Sequence, residues 1–521
     1  MVWSCIDEQS NYFFYLKIMP PKINTGHVPK TLLLLNVIVS LIYISWWFNP
    51  SNIGQPVLYG LLLFGELYHV IMSLTFWYTI WPSIRRPIQT STLLYQPSVD
   101  IFITVAGEPT SIVKKTANAA RNLNYPYHQV YLLNDGFVAK KDNWMEIEQL
   151  AKNLNIHCIT RKRAGGAKAG NVNHALRRTK GQIVVIFDAD MIPNPEFLTE
   201  TIQYFSDPQV GFVQTPQYYS NHSQNLITQA SWKQQEFFFG PILIGKQKSN
   251  SVFICGTNVA IRRLALNQVD GLCEDNIAED FITSLLIHAK KWKSVYLPQV
   301  LAQGLAPQDL LSYYKQQLRW ARGSLEVLFK FNPFFKRGLS FKQKIEYLSS
   351  ALYYANGLIV LIDVLMPIQF FFTNASPVNI STTVFAFYFI PFMFLNLLTI
   401  SKISNQSLNF QAISFSISSW TLQLQALWSI LTNQKMSFTV TPKHEQQGNF
   451  LFLVYPHLFY FLITILGMAY SWISNGLTNA FFTNSAWALL NIVLFLPFIK
   501  AAYPWSNLLP RFTIQSQPKQ A

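Results

Sequence analysis

Charged residues are scarce in this sequence. Asp, Glu, Lys and Arg make up 12% of the 521 residues, whereas roughly a quarter is usual in a soluble domain. Cysteine is scarce as well, and the four cysteines have neither the spacing of a metal site nor that of a disulfide framework. These shortages exclude a secreted module held by disulfides, a disordered chain and an ordinary soluble enzyme.

Hydrophobic residues are correspondingly abundant. They make up 50% of the chain, and Phe, Tyr and Trp alone make up 15%. Such a chain has room for one soluble domain of about 200 residues and several membrane spans. The formal net charge is +15, but the basic residues form no continuous run. We therefore expect membrane lipids, and no nucleic acid, as the anionic partner.

Six apolar runs have about the length needed to cross a bilayer. The connections at residues 49–56, 373–383 and 474–485 contain no charged residue, and the other connections contain nearly all the basic ones. The positive-inside rule then predicts a multi-pass membrane protein whose soluble domain and two termini are cytoplasmic. The six runs cover residues 31–48, 57–81, 352–372, 384–400, 450–473 and 480–499.

The segment 412–431 is apolar on one face only. Its apolar residues recur at helical spacing, and serine, threonine and glutamine fill another face. We expect an amphipathic helix that lies in the membrane plane instead of a seventh span. The apolar positions are Ile413, Ile417, Trp420, Leu424, Leu427, Trp428 and Leu431.

The sequence thus divides into four parts. Residues 1–84 hold an N-terminal tail and two transmembrane helices, and residues 85–344 form a cytosolic domain. A second transmembrane region covers residues 345–503, in which a polar loop at 432–449 follows the amphipathic helix. Residues 504–521 form a short C-terminal tail.

Short apolar strands alternate with helices in the cytosolic domain. The segments 99–105, 130–133, 156–160 and 183–187 are rich in apolar and β-branched residues, and a helical segment at 110–122 separates the first two. This alternation predicts an α/β fold with a doubly wound, mostly parallel sheet, whose ligand lies beyond the carboxyl ends of the strands. The acidic residues near those ends are Glu108, Asp135, Asp188 and Asp190.

Asp188 and Asp190 follow the fourth strand directly. Paired carboxylates at a strand end can hold a hard divalent ion, which in turn holds a diphosphate. An acidic turn before Pro193 is an equally good interpretation.

Lys168 lies on a glycine-rich turn that opens a helix. A lysine at such a position favours phosphate binding, although basic glycine-rich turns are common.

Two further motifs have both a structural and a functional interpretation. Glu279 and Asp280 open an apolar helix; the spacing alone favours a stabilising acidic first turn, and the alternative is a general base. Gln316, Arg319 and Trp320 share one face of a helix over residues 309–329. That face suits a diphosphate and a sugar ring, or else the segment is an amphipathic helix on the membrane surface.

These motifs occur in the order found in one enzyme family. Asp135, the DAD segment at 188–190, the AED segment at 278–280 and the QQLRW segment at 316–320 resemble the D, DxD, ED and QxxRW signature of processive family-2 glycosyltransferases. The likeness is in particular to bacterial cellulose synthase catalytic subunits, and it covers about residues 85–443.

Four other stretches add to this resemblance. KAGN at 168–171, VQTPQ at 213–217 and FICGT at 253–257 resemble further parts of the family. FTVTPK at 438–443 matches the FxVTxK gating loop of cellulose synthases. The polar loop at 432–449 is therefore identified as a gating loop by resemblance.

The resemblance implies a fold and an activity. The fold is a GT-A-like cytosolic domain inserted in an all-α transmembrane bundle, in a bacterial plasma (inner) membrane. The activity is that of a processive inverting β-glycosyltransferase, which uses UDP-glucose to elongate and translocate a β-glucan, either cellulose or a cellulose-like polymer. The implied cofactor is Mg²⁺ or Mn²⁺.

Residue roles follow from the same resemblance. Asp280 is the expected base for the acceptor hydroxyl, and Asp188 and Asp190 are expected to take part in catalysis and to hold the metal. Lys168 and Arg319 are expected to hold the diphosphate. The other implied substrate-binding residues are Asp135 (uridine), Gln316 and Trp320 (acceptor sugar), Glu108, Glu279, Cys255, Gly256 and Thr257, and in the gating loop Phe438, Val440, Thr441 and Lys443.

Some positions depart from the family pattern, and alternatives stay open. The family's Asp-Asp-Gly is NDG at 134–136, its Asn-Glu pair is GE at 107–108, and Gly166 stands where a His often precedes the KAGN stretch. The alternatives are curdlan or mixed-linkage glucan, another polymer such as mannan, hyaluronan or chitin, a single glucosylation of a lipid, and a transporter with a non-catalytic domain. A periplasmic accessory subunit and a homo-oligomer are open as partners.

The C-terminal tail leads to one further expectation. About 18 residues follow the last predicted span, which is too few for the cyclic-di-GMP-binding barrel often attached to the bacterial enzymes. The resemblance therefore implies no regulation of that kind within this sequence.

Overall fold

A computed structural model describes residue 23 and residues 26–82, 95–405, 409–434, 446 and 448–503. Long apolar helices precede and follow an α/β domain. The predicted gating-loop residues lie outside the described residues, apart from the loop's two ends.

Two sheets form the α/β domain. Their strands are β1 (Val99–Val105), β2 (His128–Asn134), β3 (His157–Thr160), β4 (Ile183–Asp188), β5 (Ile192–Pro193), β6 (Val210–Gln214), β7 (Tyr218–Tyr219), β8 (Val259–Arg262), β9 (Lys293–Tyr296) and β10 (Ala302–Gly304). The large sheet has the order β3-β2-β1-β4-β8-β6-β9, and the small sheet has the order β5-β10-β7.

The large sheet is mixed but mostly parallel, as predicted. Its first four strands are parallel, β8 is antiparallel to both of its neighbours, and β6 and β9 are parallel again. β1 is buried along its whole length and β4 up to its last residue, which explains their apolar, β-branched composition.

The register of the large sheet brings three strand ends to one edge. Val105 of β1 lies opposite Asn134 of β2, and Thr104 of β1 lies opposite Asp188 of β4. Residues that follow these strands therefore emerge at the same level. Asp188 is the last residue of β4 and Asp135 directly follows β2, so their common position follows from the pairing.

In the α/β domain, α-helices alternate with the strands. Further α-helices, before and after this domain in the chain, form the membrane bundle. In chain order the α-helices of both parts are α1 (Lys30–Trp47), α2 (Pro56–Ile80), α3 (Thr110–Arg121), α4 (Trp144–Asn153), α5 (Ala167–Leu176), α6 (Phe197–Ile202), α7 (Leu226–Phe237), α8 (Leu243–Lys246), α9 (Arg263–Asn267), α10 (Glu279–Ala289), α11 (Leu310–Lys330), α12 (Phe341–Leu352), α13 (Asn356–Thr373), α14 (Thr382–Ile403), α15 (Phe410–Ser418), α16 (Trp420–Leu431), α17 (Tyr455–Asn475) and α18 (Asn479–Ala501).

Six helical segments among the described residues are long and apolar enough to cross a membrane, which confirms the predicted number. Four of these segments are single helices, namely α1, α2, α14 and α18. The third span includes α12 and α13 over Phe341–Thr373, and the fifth begins with a short turn before α17 and covers Leu451–Asn475.

The segment predicted as one amphipathic helix consists of two helices, α15 and α16, so its predicted continuity is wrong. They meet at Ser419, whose hydroxyl donates to the carbonyl oxygen of Phe415 at 2.7 Å; this local bond competes with the helical ladder. Polar side chains of α15 and α16 contact neighbouring helices of the protein. Ser414 donates to a carbonyl oxygen of α18, and Arg322 of α11 donates to the Ser429 hydroxyl.

A buried ion pair joins the α/β domain to the spans. The ammonium of Lys246, in α8, donates to the Glu346 carboxylate at 2.9 Å and to the Glu346 carbonyl oxygen at 2.7 Å. The hydroxyl of Thr79, near the end of α2, donates to the same carboxylate oxygen at 3.0 Å. A Cβ on the neighbouring Gly245 would lie 2.3 Å from the Thr79 carbonyl oxygen, so a glycine is needed for this close approach.

We predict that Lys246→Met lowers the free energy of unfolding by about 3 kcal/mol, because it leaves the buried Glu346 carboxylate without its cation. The double variant Lys246→Met/Glu346→Leu should be less destabilised than Lys246→Met, since it leaves no buried charge. Thermal unfolding of the detergent-solubilised protein, followed by tryptophan fluorescence, checks both expectations.

Lys233→Met is the matched control. It removes the partly exposed Lys233–Glu236 pair, whose charged atoms are 2.8 Å apart, and should cost less than about 1 kcal/mol. Equal losses of stability in Lys246→Met and Lys233→Met would contradict a structural role for the buried pair.

Candidate active site

Four short elements converge at the carboxyl edge of the large sheet. They are the end of β4, the start of α5, the turn that precedes β8 and the first turn of α10. The charges of Glu279, Asp188 and Asp280 act on the Arg319 guanidinium. The middle of α11, which carries Arg319, therefore lies beside these four elements. The sequence motifs that are far apart along the chain are thus brought to one place.

Lys168 is the link between the elements. Its ammonium donates to a carboxylate oxygen of Asp188 and, at 2.8 Å, to the carbonyl oxygen of Gly256. Burial lowers the pKa of Lys168, but the carboxylates of Asp188, Glu279 and Asp280 outweigh burial and raise the pKa above its usual value. Lys168 is therefore a permanent cation among carboxylates.

Asp188 and Asp190 are held by backbone and hydroxyl groups. The Asp188 N–H donates to the Thr257 hydroxyl at 2.9 Å, and the Thr104 hydroxyl donates to the Asp188 carboxylate at 3.2 Å. The Asp190 carboxylate accepts the N–H of Leu305 at 3.2 Å. Both carboxylates are thus fixed at the edge of the sheet.

The carboxylate pair has the chemistry of a hard-metal site that is completed by substrate. The described residues contain no group of three or more His, Cys, Asp and Glu side chains that could hold a metal ion alone. Asp188 and Asp190 supply carboxylate oxygens, and Mg²⁺ and similar ions are commonly held by one or two carboxylates together with substrate phosphates. The donor set therefore fits the predicted divalent ion.

The turn at 255–257 brings the backbone close to the charged groups. Gly256 has φ +81°, and a Cβ there would lie 3.2 Å from a carboxylate oxygen of Asp280 and 3.7 Å from the ammonium of Lys168. The Cys255 N–H donates to the Gln214 side chain at 2.9 Å. Burial and the Asp280 charge raise the pKa of the Cys255 thiol well above its usual value, so Cys255 is not a thiolate nucleophile.

Glu279 and Asp280 lie in the first turn of α10 and are half-buried. Burial, followed by the charge of Asp280, raises the pKa of Glu279 to about 7. Burial also raises the pKa of Asp280, although the N–H of Phe281 donates to its carboxylate at 2.7 Å. Both acids thus form the acidic first turn of α10, and their raised pKa values are also typical of functional carboxylates.

The helix α11 has two different faces. Its apolar face, with Leu318, Ala321 and Leu325, packs against α16, so that face is covered by protein. On the other face, the charges of the site carboxylates act on Arg319, and Gln316 is half-buried. Trp320 is half-buried on that side of the helix. The residues predicted for the diphosphate and the acceptor sugar thus lie on the face of α11 that is turned away from α16.

Asp135 and Glu108 lie at the neighbouring strand ends. The Arg161 guanidinium donates to both carboxylate oxygens of Asp135, at 2.8 and 2.6 Å, and both side chains are buried. Burial raises the pKa of Asp135, and Arg161 offsets part of that rise. The Glu108 carboxylate accepts the N–H of Ala106 at 2.6 Å. Both acids thus lie at the same edge of the large sheet as Asp188.

Sequence reasoning missed two residues of the site. Arg161 was one of several basic residues before the glycine-rich turn, and only the fold identifies it as the partner of Asp135. Tyr219 follows the TPQ stretch in a strand of two residues, which is too short to give a periodic signal. Phe438, Val440, Thr441 and Lys443 lie outside the described residues.

Two families match the chain. The one described as "Glycosyltransferase like family 2" matches residues 97–323, and the one described as "Cellulose synthase" matches residues 268–509. Cellulose synthase 1 of Komagataeibacter xylinus is 30% identical over 502 residues, which are 90% of this chain and 32% of that protein. The UDP-forming cellulose synthase catalytic subunit of Pseudomonas fluorescens is 28% identical over 89% of this chain and 65% of its own length.

A third relative is the corresponding subunit of Xanthomonas axonopodis pv. citri, 33% identical over 336 residues, which are 62% of this chain and 45% of that protein. The chain spans between about a third and two thirds of the length of these curated relatives.

One solved structure supports the fold. A mannosyltransferase of Pyrobaculum calidifontis, in complex with GDP-Man and Mn²⁺, is similar with a TM-score of 0.53 and 17% identity, over 73% of this chain and 100% of that one. Its likeness confirms the predicted GT-A-like fold. The chain thus contains regions that match glycosyltransferase family 2 and the cellulose synthase family, and it is similar to bacterial cellulose synthase catalytic subunits.

Proposed function

We propose that the protein is a processive inverting β-glycosyltransferase, which elongates a β-glucan from UDP-glucose and passes it between its membrane helices. The observation that carries the proposal is the position of Asp280. Its carboxylate, which can act as a base, lies beside Lys168, Gly256 and the Asp188–Asp190 pair. It is located at the start of α10, which faces α11. A phosphate site and a proton acceptor are thus adjacent.

Asp280 accepts the proton of the attacking acceptor hydroxyl. As the hydroxyl oxygen bonds to the anomeric carbon, the bond from that carbon to the UDP oxygen breaks on the opposite face, which inverts the configuration to β. Tight positioning matters because the carboxylate must lie within hydrogen-bond reach of the hydroxyl. Gln316 and Trp320 are the residues that we assign to the acceptor sugar.

Negative charge develops on the departing UDP. Lys168 and Arg319 stabilise that charge, since both are held among the site carboxylates and face the same region. Asp188 and Asp190 would hold a divalent ion, Mg²⁺ or Mn²⁺, which supplies Lewis-acid stabilisation of the diphosphate when bound. We assign Asp135, held by Arg161, and Glu108 to the uridine side of the donor.

Three assigned groups complete the proposed site. Glu279 and the turn of Cys255, Gly256 and Thr257 form the wall beside Asp280. On the resemblance, the gating-loop residues close over the nucleotide and exclude water.

The arrangement of the spans supports a path for the polymer. α1 packs against α2 and α14, α2 against α13, and α18 against both α13 and α14, so these five helices form a ring. Tyr354, just before α13, lies near enough to Asp280 for the two to interact electrostatically. The start of α13, one of the helices of this ring, therefore lies next to the proposed base.

Polar groups lie inside this ring at membrane depth. Glu66 of α2 and Asp363 of α13 interact with each other and with Tyr43 of α1. Glu66 and Asp363 are each ten residues from the ends of their helices that lie farther from the α/β domain, which is about 15 Å and near the middle of a bilayer. Acids at such depth are costly and often functional.

The orientation is also part of the proposal. The charge distribution supports a cytoplasmic α/β domain and cytoplasmic termini in a bacterial plasma membrane, with membrane lipids as neighbours. A periplasmic accessory subunit or a homo-oligomer is compatible with this orientation.

The deciding experiment is an assay of the purified protein with UDP-glucose and Mg²⁺. We predict UDP release and an insoluble glucan in the wild type, and a loss of transfer of at least about 10²-fold in Asp280→Asn, because the base is needed for the acceptor step. UDP binding, measured by calorimetry, should be nearly unchanged. Asp275→Asn, an exposed acid of the preceding loop, is the control.

A substantial share of wild-type turnover in Asp280→Asn would remove Asp280 from the base role. A labelled lipid, and no polymer, on thin-layer chromatography would favour the lipid glucosyltransferase. Linkage analysis of the polymer distinguishes cellulose from curdlan and mixed-linkage glucan.

We predict that turnover requires a divalent ion, because two fixed carboxylates would repel a diphosphate without a cation. Excess EDTA should reduce UDP release to background, and added Mg²⁺ or Mn²⁺ should restore it. Asp190→Asn should raise the metal concentration needed for half-maximal activity, whereas Asp207→Asn, far from the site, should not. Full activity in excess EDTA would contradict the metal role.

We predict that Glu66→Leu and Asp363→Leu reduce polymer yield and length, since leucine cannot hydrogen-bond sugar hydroxyls. Glu66→Gln and Asp363→Asn should retain more activity, because an amide can. Leu365→Ala, at an outward-facing position of α13, is the control. Unchanged polymer length and rate in both leucine variants would instead support a role of the acids in helix packing alone.

A further inference from the structure

We propose that the connection between α11 and α12 is a docking surface for acidic phospholipid headgroups, on the side of the membrane that carries the α/β domain. The surface covers residues 329–344, from the end of α11 to the first turn of α12, and is called the Phe/Lys segment below. The proposal goes beyond the proposed function, since none of these residues is assigned to the transfer chemistry.

The Phe/Lys segment combines exposed aromatic rings with positive charge. Five basic residues and no acidic residue lie within it. Exposed rings of this kind next to lysine and arginine are typical of segments that lie on a membrane surface. The exposed rings are those of Phe329 (57%), Phe334 (51%), Phe335 (76%) and Phe341 (69%), and the basic residues are Lys330, Lys336, Arg337, Lys342 and Lys344.

The segment is held in a defined shape. The Asn332 side chain accepts the N–H of Phe334 at 2.9 Å and donates to the Leu328 carbonyl oxygen at 3.0 Å. Gly338 has φ +92°, and a Cβ at that position would clash with the Ala289 carbonyl oxygen at the end of α10. The phenylalanines are thus exposed by a segment that is fixed to its neighbours.

Rings and cations are adjacent within the segment. The rings of Phe334 and Phe335 meet edge to face, with their centroids 5.3 Å apart. The Lys344 ammonium lies 5.6 Å from the centroid of the Phe334 ring, which is within cation–π range. A ligand of this surface must therefore offer an apolar region and negative charge close together.

The contact between α2 and α12 indicates the depth of the segment. The 25 residues of α2 have a length of about 37 Å, which exceeds the hydrocarbon core of about 30 Å and reaches into a headgroup layer. Thr79, near the end of α2, donates to the Glu346 carboxylate at 3.0 Å. Phe341 precedes Glu346 by less than two turns of α12. The Phe/Lys segment therefore lies at about headgroup level.

The end of α11 lies beside the end of α16, within the segment predicted to lie in the membrane plane. Leu328 of α11 and Ile430 of α16 belong to one apolar cluster. The next residue of each helix, Phe329 and Leu431, is apolar and exposed. The two helix ends thus extend the apolar surface of the Phe/Lys segment toward the membrane.

Charge favours a lipid surface over a second copy of the chain. In a two-fold symmetric contact the same surface meets itself, so the five cations of one copy would face those of the other. A leaflet that contains acidic lipid instead attracts each lysine and arginine near its surface, and its headgroup boundary accepts phenylalanine rings. Both properties of the segment are thus matched by one partner.

The test is photo-cross-linking of the full-length protein in nanodiscs of equal parts phosphatidylcholine and phosphatidylglycerol. With p-benzoylphenylalanine in place of Phe335, we expect lipid adducts in the mass spectrum, with phosphatidylglycerol in excess by at least about fivefold. Tyr127 is the matched control, since it is 54% exposed and lies directly before β2, at the opposite edge of the large sheet. The same label at Tyr127 should give no lipid adduct.

A pair of charge variants tests the role of the cations. Lys336→Ser/Arg337→Ser should bring the excess of phosphatidylglycerol at position 335 below about twofold. Arg177→Ser/Arg178→Ser, which removes two exposed arginines after α5, should leave the excess unchanged. Because the readout is an adduct and not turnover, the result is independent of the proposed transferase activity.

Three results would overturn the proposal. The first is the absence of lipid adducts at position 335 in protein that still elutes as a folded species. The second is a cross-link from position 335 to another protein chain in place of lipid. The third is an equal yield of both lipids in the protein with its cations intact, which would show apolar contact without headgroup selection.

Discussion

The crowding of carboxylates at one sheet edge is the constraint on which the rest of the site depends. Asp188, Glu279 and Asp280 all act on Lys168, and the same three act on Arg319. Like charges this close are costly in a low-dielectric site unless cations lie between them. Burial and, after it, the charge of Asp280 raise the pKa of Glu279 above its usual value, so part of that cost remains.

Several local features of the chain follow from this electrostatic balance. Gly256 lets a carbonyl oxygen approach the Lys168 ammonium where a side chain would meet Asp280. The Thr257 hydroxyl accepts the backbone N–H of Asp188, and the Thr104 hydroxyl donates to its carboxylate, so both the backbone and the side chain of Asp188 are held in place. An anionic donor can then enter a region whose charges are already arranged to receive it.

Much of this site could be predicted because its signals are local. The β-branched runs of β1 and β4 identify strands, and parallel strands end at a common edge, so Asp135 and Asp188 were expected there. The six spans follow from hydropathy. The positions of Arg161 and Tyr219 depend on contacts between distant segments, which no window of sequence contains. For Arg161, three neighbouring basic residues gave no reason to select one.

The buried contact of Lys246, Thr79 and Glu346 limits where the chain can be cut to make a fragment. Glu346 lies just beyond the segment 85–344, and Thr79 lies before it, so a catalytic fragment cut at those bounds would carry a buried ammonium without either partner. The segment 85–344 therefore cannot be transferred to other membrane helices without loss of these buried contacts. A fragment that keeps these contacts has to include α2 and α12 as well.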